Sequence, residues 1–142
     1  FLDGGGSRPL QRAAIPLLEA ANVEAEVGAI RSAFLRKREL MLERVRALGM
    51  GVDLEPEGGF YVFANLAGLP EPLDDCMAFF GAALAQKVIC VPGVFFDVNP
   101  GQRRGQRLAR FRQHVRLSFG PSLEEVERGL DHLERVVAAG RR

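Results

Sequence analysis

The spacing of apolar residues divides the chain into helices and short strands. Over residues 24–48, apolar positions recur at helical intervals with arginines and glutamates between them, which predicts one long amphipathic helix ending at Gly49. Residues 114–119 alternate between the two faces of a predicted strand. Ser122 and Glu125 have the spacing of a capping box and predict a final helix. The inner stripe expected for that helix comprises Val126, Leu130, Leu133 and Val137.

The middle of the chain predicts a hairpin followed by a helix. Residues 52–55 and 60–66 are predicted strands, joined by a turn at residues 56–59. The next helix is expected to begin at Asp74 or Asp75, where a short acidic side chain can cap the first turn. Its apolar stripe is expected to comprise Met77, Phe80 and Leu84.

The remaining segments complete a predicted α/β fold. A short helix through Leu18 is expected near the start, with Ser7 as its N-cap. Residues 88–91 predict a buried strand, the Pro92-Gly93 pair a type II turn, and residues 94–98 an extended apolar segment. The order of these elements predicts an α/β (α+β) sandwich in which helices cover a small mixed sheet.

Composition narrows the possible functions. The 142 residues include 19 basic and 18 acidic side chains, so the whole chain has no field suited to attracting nucleic acid or acidic membranes. No apolar run approaches the ~20 residues that cross a bilayer, and no amino-terminal signal pattern is visible; we expect a cytoplasmic protein without a membrane partner. Cys76 and Cys90 lack CxxC spacing and are expected to be buried thiols.

Arg116 is the leading candidate for a binding residue. The alternation places it mid-strand on the same face as His114 and Ser118. A guanidinium cannot shed its charge when partly buried, and its planar fork binds a carboxylate through two parallel hydrogen bonds. On spacing alone, two alternatives stay open: an ion pair with an internal acid, and an edge-strand arginine that reaches solvent.

Four ordered motifs carry a resemblance to a known family. They are a long helix over residues 36–49, a proline-glycine-glycine-aromatic motif at 56–63, the Val-Pro-Gly turn at 91–93, and the strand at 115–119 ahead of the capped helix. In this order they resemble the small domain of fold type I pyridoxal-phosphate (PLP) aminotransferases, the class I and II family. The resemblance covers most of the chain from about residue 31 to residue 137.

The resemblance implies a role for the chain and for some of its residues. It implies the carboxy-terminal part of an enzyme that transfers an amino group between an amino acid and a 2-oxo acid, usually as a homodimer. Residues 1–22 would close the large PLP-binding domain, and residues 23–142 would form the small domain. Arg116 matches the family's arginine for the substrate α-carboxylate. Phe60, which follows Gly59, matches an aromatic residue near the substrate side chain.

The residues that bind PLP in this family have no counterpart here. Lys37 lies in a basic helical face and Lys87 at a helix end before a strand, so neither has the small, serine-containing setting of the family's Schiff-base lysine. We therefore expect PLP to be bound mainly by a large domain that precedes this chain. The chain alone is expected to contain no catalytic or metal-binding residue and to be inactive.

Other interpretations remain open at this point. Lyases and other fold type I PLP enzymes use the same arginine, and the amino donor is not readable, although Phe60, Phe95 and Phe96 weakly favour apolar or aromatic substrates. A loop over residues 99–113 contains five arginines and no acid, which is also compatible with a non-catalytic module that binds nucleic acid or a partner. A solvated surface loop is more typical, because the interleaved aromatic residues of nucleic-acid readers are missing. The five are Arg103, Arg104, Arg107, Arg110 and Arg112.

The two histidines are weaker candidates for a functional site. His114 and Ser118 share a strand face but lack a nucleophile elbow, which argues against a hydrolytic pair. His132 has no neighbours at metal-ligand spacing and is expected at the surface.

Overall fold

A computed structural model describes residues 6–98, 103 and 109–141. The helices are α1 (Arg8–Ala14), α2 (Ala20–Ala47), α3 (Cys76–Ala85) and α4 (Leu123–Gly140). The strands are β1 (Tyr61–Asn65), β2 (Val91–Pro92) and β3 (His114–Ser118), and 3₁₀ helices cover Ile15–Leu18 and Gly93–Phe96. The chain divides into two compact units, Phe1–Leu35 and Arg36–Arg142.

The first unit contains α1, the first 3₁₀ helix and the amino-terminal part of α2. None of its described residues is buried. Ser7 occupies the N-cap position of α1 without a capping hydrogen bond from its side chain, and Pro9 lies in the first turn. The side-chain amide of Asn22 donates to the carbonyl of Pro16 at 2.9 Å.

The second unit begins within α2, which ends in a Schellman motif. Gly49 has a φ of +94°, a conformation that glycine adopts without strain. The amide of Gly49 donates to the carbonyl of Arg46, and the amide of Met50 donates to that of Val45. These are the two bonds that satisfy the last carbonyls of a helix, so the expected end of the long helix is confirmed.

The sheet places β3 between β1 and β2, and both pairings are antiparallel. Residues directly opposite each other in an antiparallel pair share a face. Val62 and Ala64 on β1 face the same side as Val115 and Leu117 on β3, and all four are buried at 0–4% exposure. This face of the sheet packs on the helices, and it includes the alternate positions that the sequence predicts for β3.

The capping box predicted for α4 is present. The amide of Glu125 donates to Oγ of Ser122, and the Glu125 carboxylate accepts from the amide of Ser122. Hydrogen bonds from the hydroxyl and the amide of Ser122 lower the pKa of Glu125. The predicted inner stripe of α4 is buried, together with Val136. These observations confirm the fold class predicted from the sequence.

The predicted hairpin is wrong in its first strand. Residues 52–55 do not form a strand, and pairing is limited to an isolated bridge between Gly51 and Asn65. The reason is that the segment is held by side chains, since the carboxylate of Glu55 forms ion pairs with two arginines of α2, Arg38 and Arg46. β1 pairs with β3 instead, and residues 52–55 form part of the loop between α2 and β1.

Three further local predictions need correction. The strand predicted at 88–91 is reduced to β2, and Ile89, which was expected to be buried in it, is 81% exposed. The segment after β2 was expected to be extended but forms a 3₁₀ helix. The buried stripe of α3 is displaced by one position from the predicted one, because this helix is apolar on nearly every face and its packing decides which stripe is buried. It comprises Cys76, Phe79 and Ala83, whereas Met77 and Leu84 are exposed. Cys76 and Cys90 are both buried and free, as predicted.

Candidate substrate-carboxylate site

Arg116 lies at the centre of β3, the central strand. Its cross-strand neighbours are Phe63 on β1 and Val91 on β2. The buried residues Val115 and Leu117 on either side anchor the strand, so the backbone beneath Arg116 is fixed by the core. The side chain is half-buried on the opposite face of the sheet.

Among the described residues, the guanidinium of Arg116 contacts aromatic rings and no acid. Its Cζ lies 4.2 Å from the ring centroid of Tyr61 and 4.9 Å from that of Phe96. Both distances are within the range of attraction between a cation and the face of a ring. Within the described ranges 6–98, 103 and 109–141, the side chain of Arg116 makes no hydrogen bond or ion pair. Its donors are therefore not used by any described side chain.

The rings around Arg116 form a connected cluster. Phe63 contacts Phe96 and Phe111 in edge-to-face geometry, with centroids 5.9 and 5.3 Å apart. Its other contact is a stacked one with the imidazole of His114, at 5.0 Å and an interplanar angle of 17°. Because such ring pairs have preferred geometries, the cluster gives the face around Arg116 a defined shape.

Gly93 allows the 3₁₀ helix that carries Phe96 to approach β3. A side chain at this position would collide with the carbonyl of Phe111 and lie 2.6 Å from that of His114. Residue 93 must therefore be glycine for this backbone approach. The requirement gives a physical meaning to the Val-Pro-Gly motif seen in the sequence.

His114 is held by an acid from the loop after α2. Its Nε2 lies 3.0 Å from Oδ2 of Asp53, and the amide of Asn65 also donates to that carboxylate. The hydrogen bond from His114 is the main reason why the pKa of Asp53 is lowered. The carboxylate only accepts hydrogen bonds, so Nε2 carries the proton, and Nδ1 is buried without a partner among the described residues.

The other predicted site residues lie beside this cluster. Phe60 is 41% exposed and its ring centroid is 4.3 Å from that of Tyr61, which in turn contacts Arg116. Gly59 has a φ of +72°, so the turn before Phe60 uses a conformation that favours glycine. Phe95, which the sequence grouped with Phe60 and Phe96 as favouring apolar or aromatic substrates, is 69% exposed.

Sequence reasoning missed Tyr61. Alternation along the strand places Tyr61 on the face opposite to Phe60 and gives it no role, yet its ring lies against the guanidinium. The pairing of Tyr61 with Ser118 places it on the face of Arg116. This register joins residues far apart in the chain, so alternation within one segment could not have revealed it.

The two lysines of the chain do not fit the role of a PLP carrier. Lys37 is 9% exposed, and its ammonium donates to the carbonyls of Gly120 and Pro121 at 3.1 and 2.8 Å. It is therefore a buried structural lysine, whereas the sequence placed it only in a basic helical face. Lys87 has a φ of +63° and lies exposed directly after the C-cap of α3.

The arginine-rich loop lies largely outside the described residues, which exclude 99–102 and 104–108. Of its described members, Arg112 donates to Asp75 at 2.7 Å, and the backbone amide of Arg110 donates to Asp97. Burial raises the pKa of Asp75, but hydrogen bonds from Arg112 and from the first amides of α3 outweigh it and lower the pKa. Arg112 thus has an internal partner, which weakens the case for a set of free cations that binds phosphates.

A polar cavity of about 580 Å³ lies next to this ion pair. Its lining includes Asn65, Asp74, Arg112 and His114. Among the described residues, no group of three or more histidine, cysteine, aspartate or glutamate side chains could hold a metal ion. No helix in the described part of the chain is long and apolar enough to span a membrane.

The fold first defines the class of the protein. A three-stranded antiparallel sheet covered by helices matches the small domain of aminotransferase structures. An aromatic aminotransferase from Pyrococcus horikoshii is 26% identical, with a TM-score of 0.69 over 91% of this chain and 30% of that one. A mutant aspartate aminotransferase from Thermus thermophilus is 29% identical, with a TM-score of 0.66 over 84% of this chain and 28% of the other.

One sequence relative supports the same class. The chain is 32% identical over 101 residues to aspartate aminotransferase from Thermotoga maritima. These 101 residues cover 71% of this chain and 22% of that protein. No family model matches the chain. The chain is an aminotransferase homologue, in agreement with the resemblance that its motifs carry. It spans between a fifth and a third of the length of these relatives.

Proposed function

We propose that this chain supplies the substrate-carboxylate arginine of a PLP-dependent aminotransferase, and that Arg116 is that arginine. The reaction would move an amino group between an amino acid and a 2-oxo acid. The observation that carries the proposal is the half-buried guanidinium, which contacts two rings but no acid among the described residues.

The physical argument rests on what such a guanidinium requires. Removing a charge from water is costly unless it gains a partner, and the rings replace only part of the lost hydration. An incoming carboxylate would supply the missing charge and accept two parallel hydrogen bonds from the planar fork. Because β3 is fixed by its buried face, the bound acid would be held in one orientation, as a stereospecific reaction requires.

The neighbouring residues and the rest of the protein complete the proposal. Phe60, after Gly59, would lie near the substrate side chain. Residues 1–22 would belong to a large domain and residues 23–142 to the small domain. PLP would be bound by residues outside this chain, since neither lysine fits that role. The chain alone would be inactive, and the complete protein would be a cytoplasmic homodimer.

The test is the Arg116→Lys substitution in the complete protein. Lysine keeps the charge but loses the fork, so we expect kcat/KM for an amino-acid donor to fall about 10- to 100-fold, the range of one or two charge-assisted hydrogen bonds. The matched control is Arg128→Lys, which changes an exposed arginine of α4 and should leave kcat/KM within about twofold. Equal kinetics for the Arg116→Lys variant and the wild type would refute the assignment.

A further inference from the structure

We propose that Tyr61 and Phe96 are positioning residues for Arg116: their rings hold the plane of its guanidinium in the orientation that receives a carboxylate. This inference rests on the proposed function of Arg116. It adds two residues, from β1 and from the 3₁₀ helix after β2, that act on the substrate through the arginine.

The geometry around the guanidinium supports a two-sided contact. Cζ of Arg116 is 4.2 Å from the Tyr61 centroid and 4.9 Å from the Phe96 centroid. The two rings come from the two strand regions that flank β3, since Tyr61 lies on β1 and Phe96 follows β2. An arginine side chain has four rotatable bonds, and contacts from both neighbouring elements restrict them more than one contact would.

Aromatic rings orient the arginine without using the groups that bind substrate. The N–H donors of a guanidinium point outward in its own plane, whereas ring faces attract the delocalised charge. An internal aspartate or glutamate would fix the side chain equally well, but it would occupy the fork and neutralise the charge. Rings therefore suit an arginine whose donors must stay available to a ligand.

The two rings are themselves held in place. Tyr61 contacts Phe60, with centroids 4.3 Å apart, and Phe96 contacts Phe63 edge to face at 5.9 Å. Phe63 stacks in turn on His114. The orientation of the guanidinium is thus linked through ring contacts to both outer elements of the sheet.

The exposure of the rings argues against a purely structural role. Tyr61 is 36% exposed and Phe96 is 37% exposed, so neither is a core residue whose loss would leave a large cavity. The hydroxyl of Tyr61 makes no hydrogen bond within the described part of the chain, so replacing it by phenylalanine should change little except the hydroxyl itself.

The test is a double-mutant cycle in the complete protein, measured as kcat/KM for an amino-acid donor. Tyr61→Leu should lower kcat/KM roughly three- to thirtyfold, the range of a partly desolvated cation–π contact. Tyr61→Phe keeps the ring and should stay within about twofold. In the Arg116→Lys background Tyr61→Leu should have less than about a twofold further effect, because an ammonium has no plane for a ring to orient.

Phe96→Leu provides a second, independent variant with the same expected pattern. Thermal unfolding of each variant shows whether the protein remains folded. Equal losses from Tyr61→Leu in both backgrounds, or a loss in Tyr61→Phe as large as in Tyr61→Leu, would overturn the positioning role while the proposed function stands. An Arg116→Lys variant with unchanged kcat/KM would instead refute the proposed function, and the positioning role with it.

Discussion

The carboxylate of Asp53 and the imidazole of His114 are 3.0 Å apart although 61 residues separate them in sequence. His114 stacks on Phe63, so Asp53 fixes one member of the ring cluster beside Arg116. The contact also ties the loop after α2 to the start of the central strand. It takes the place of the strand pairing that the sequence suggested for residues 52–55.

The Asp53–His114 contact should make stability depend on pH in acid. The hydrogen bond lowers the pKa of Asp53 below its ordinary value of 3.8 in the folded chain. A carboxyl with a depressed folded pKa stabilises the fold above its unfolded pKa, and this stability is lost as the pH falls through the folded pKa. Asp53→Asn should therefore be less stable than the wild type above about pH 4, and the difference should shrink as the pH falls through the lowered pKa of Asp53.

The size of this effect is limited by solvent. The side chain of Asp53 is 63% exposed, so we expect a difference of at most about 1 kcal/mol, measured by urea denaturation across pH 2–6. In a His114→Asn background the same comparison should show a smaller difference. A pH-independent difference between wild type and Asp53→Asn would contradict the predicted coupling.

Lys37 should matter for stability far more than Lys87. Lys37→Met keeps most of the apolar stem but removes two charge-assisted hydrogen bonds to the carbonyls of Gly120 and Pro121. These two residues lie in the segment between β3 and α4. We expect the free energy of unfolding to fall by about 2 kcal/mol. The control Lys87→Met changes an exposed residue and should stay within about 0.5 kcal/mol. Comparable losses from both substitutions would show that the buried contacts of Lys37 add little.

Local signals in the sequence were sufficient for some elements. The capping box at Ser122, the alternation along β3 and the helical spacing in α2 all depend on residues within a few positions of each other. The sequence could therefore predict that Arg116 lies mid-strand, opposite the core face. The same signals misplaced the stripe of α3, because this helix is apolar on nearly every face and spacing alone does not select the buried one.

Partners across the sheet could not be predicted in the same way. Tyr61 reaches Arg116 only because β1 pairs with β3 in a particular register, and Phe96 does so because Gly93 permits a close backbone approach. Both ring contacts depend on segments that are distant in the chain, and no short pattern in a single sequence shows which distant segments meet. The buried environment of Lys37 was missed for the same reason, since the carbonyls that it binds lie more than 80 residues away.

Cys76 and Cys90 should be unreactive in the folded chain. Burial raises the pKa of Cys90 to about 11, so only about one molecule in a thousand would carry the thiolate at pH 8. Cys76 is fully buried. We expect Ellman's reagent to label neither thiol in the native state and both in denaturant. A Cys76→Ala variant isolates Cys90, and its rapid stoichiometric labelling without denaturant would contradict the buried setting.

Gly93→Ala should destabilise the chain and disturb the rings near Arg116. The added methyl group would collide with the carbonyl of Phe111 and approach that of His114, so the 3₁₀ helix carrying Phe96 must move away from β3. Overpacking of this kind costs about 1–3 kcal/mol, which urea denaturation would measure.

Gly129→Ala is the matched control because its new methyl group meets nothing within 4 Å. Alanine in the middle of α4 should stabilise the helix by about 0.5–1 kcal/mol. Opposite signs for the two glycines would show that residue 93 is constrained by close approach and not by helix or turn propensity. If Gly93→Ala were neutral, Phe96 would not depend on this approach for its position, and the ring contact on that side of Arg116 would need another explanation.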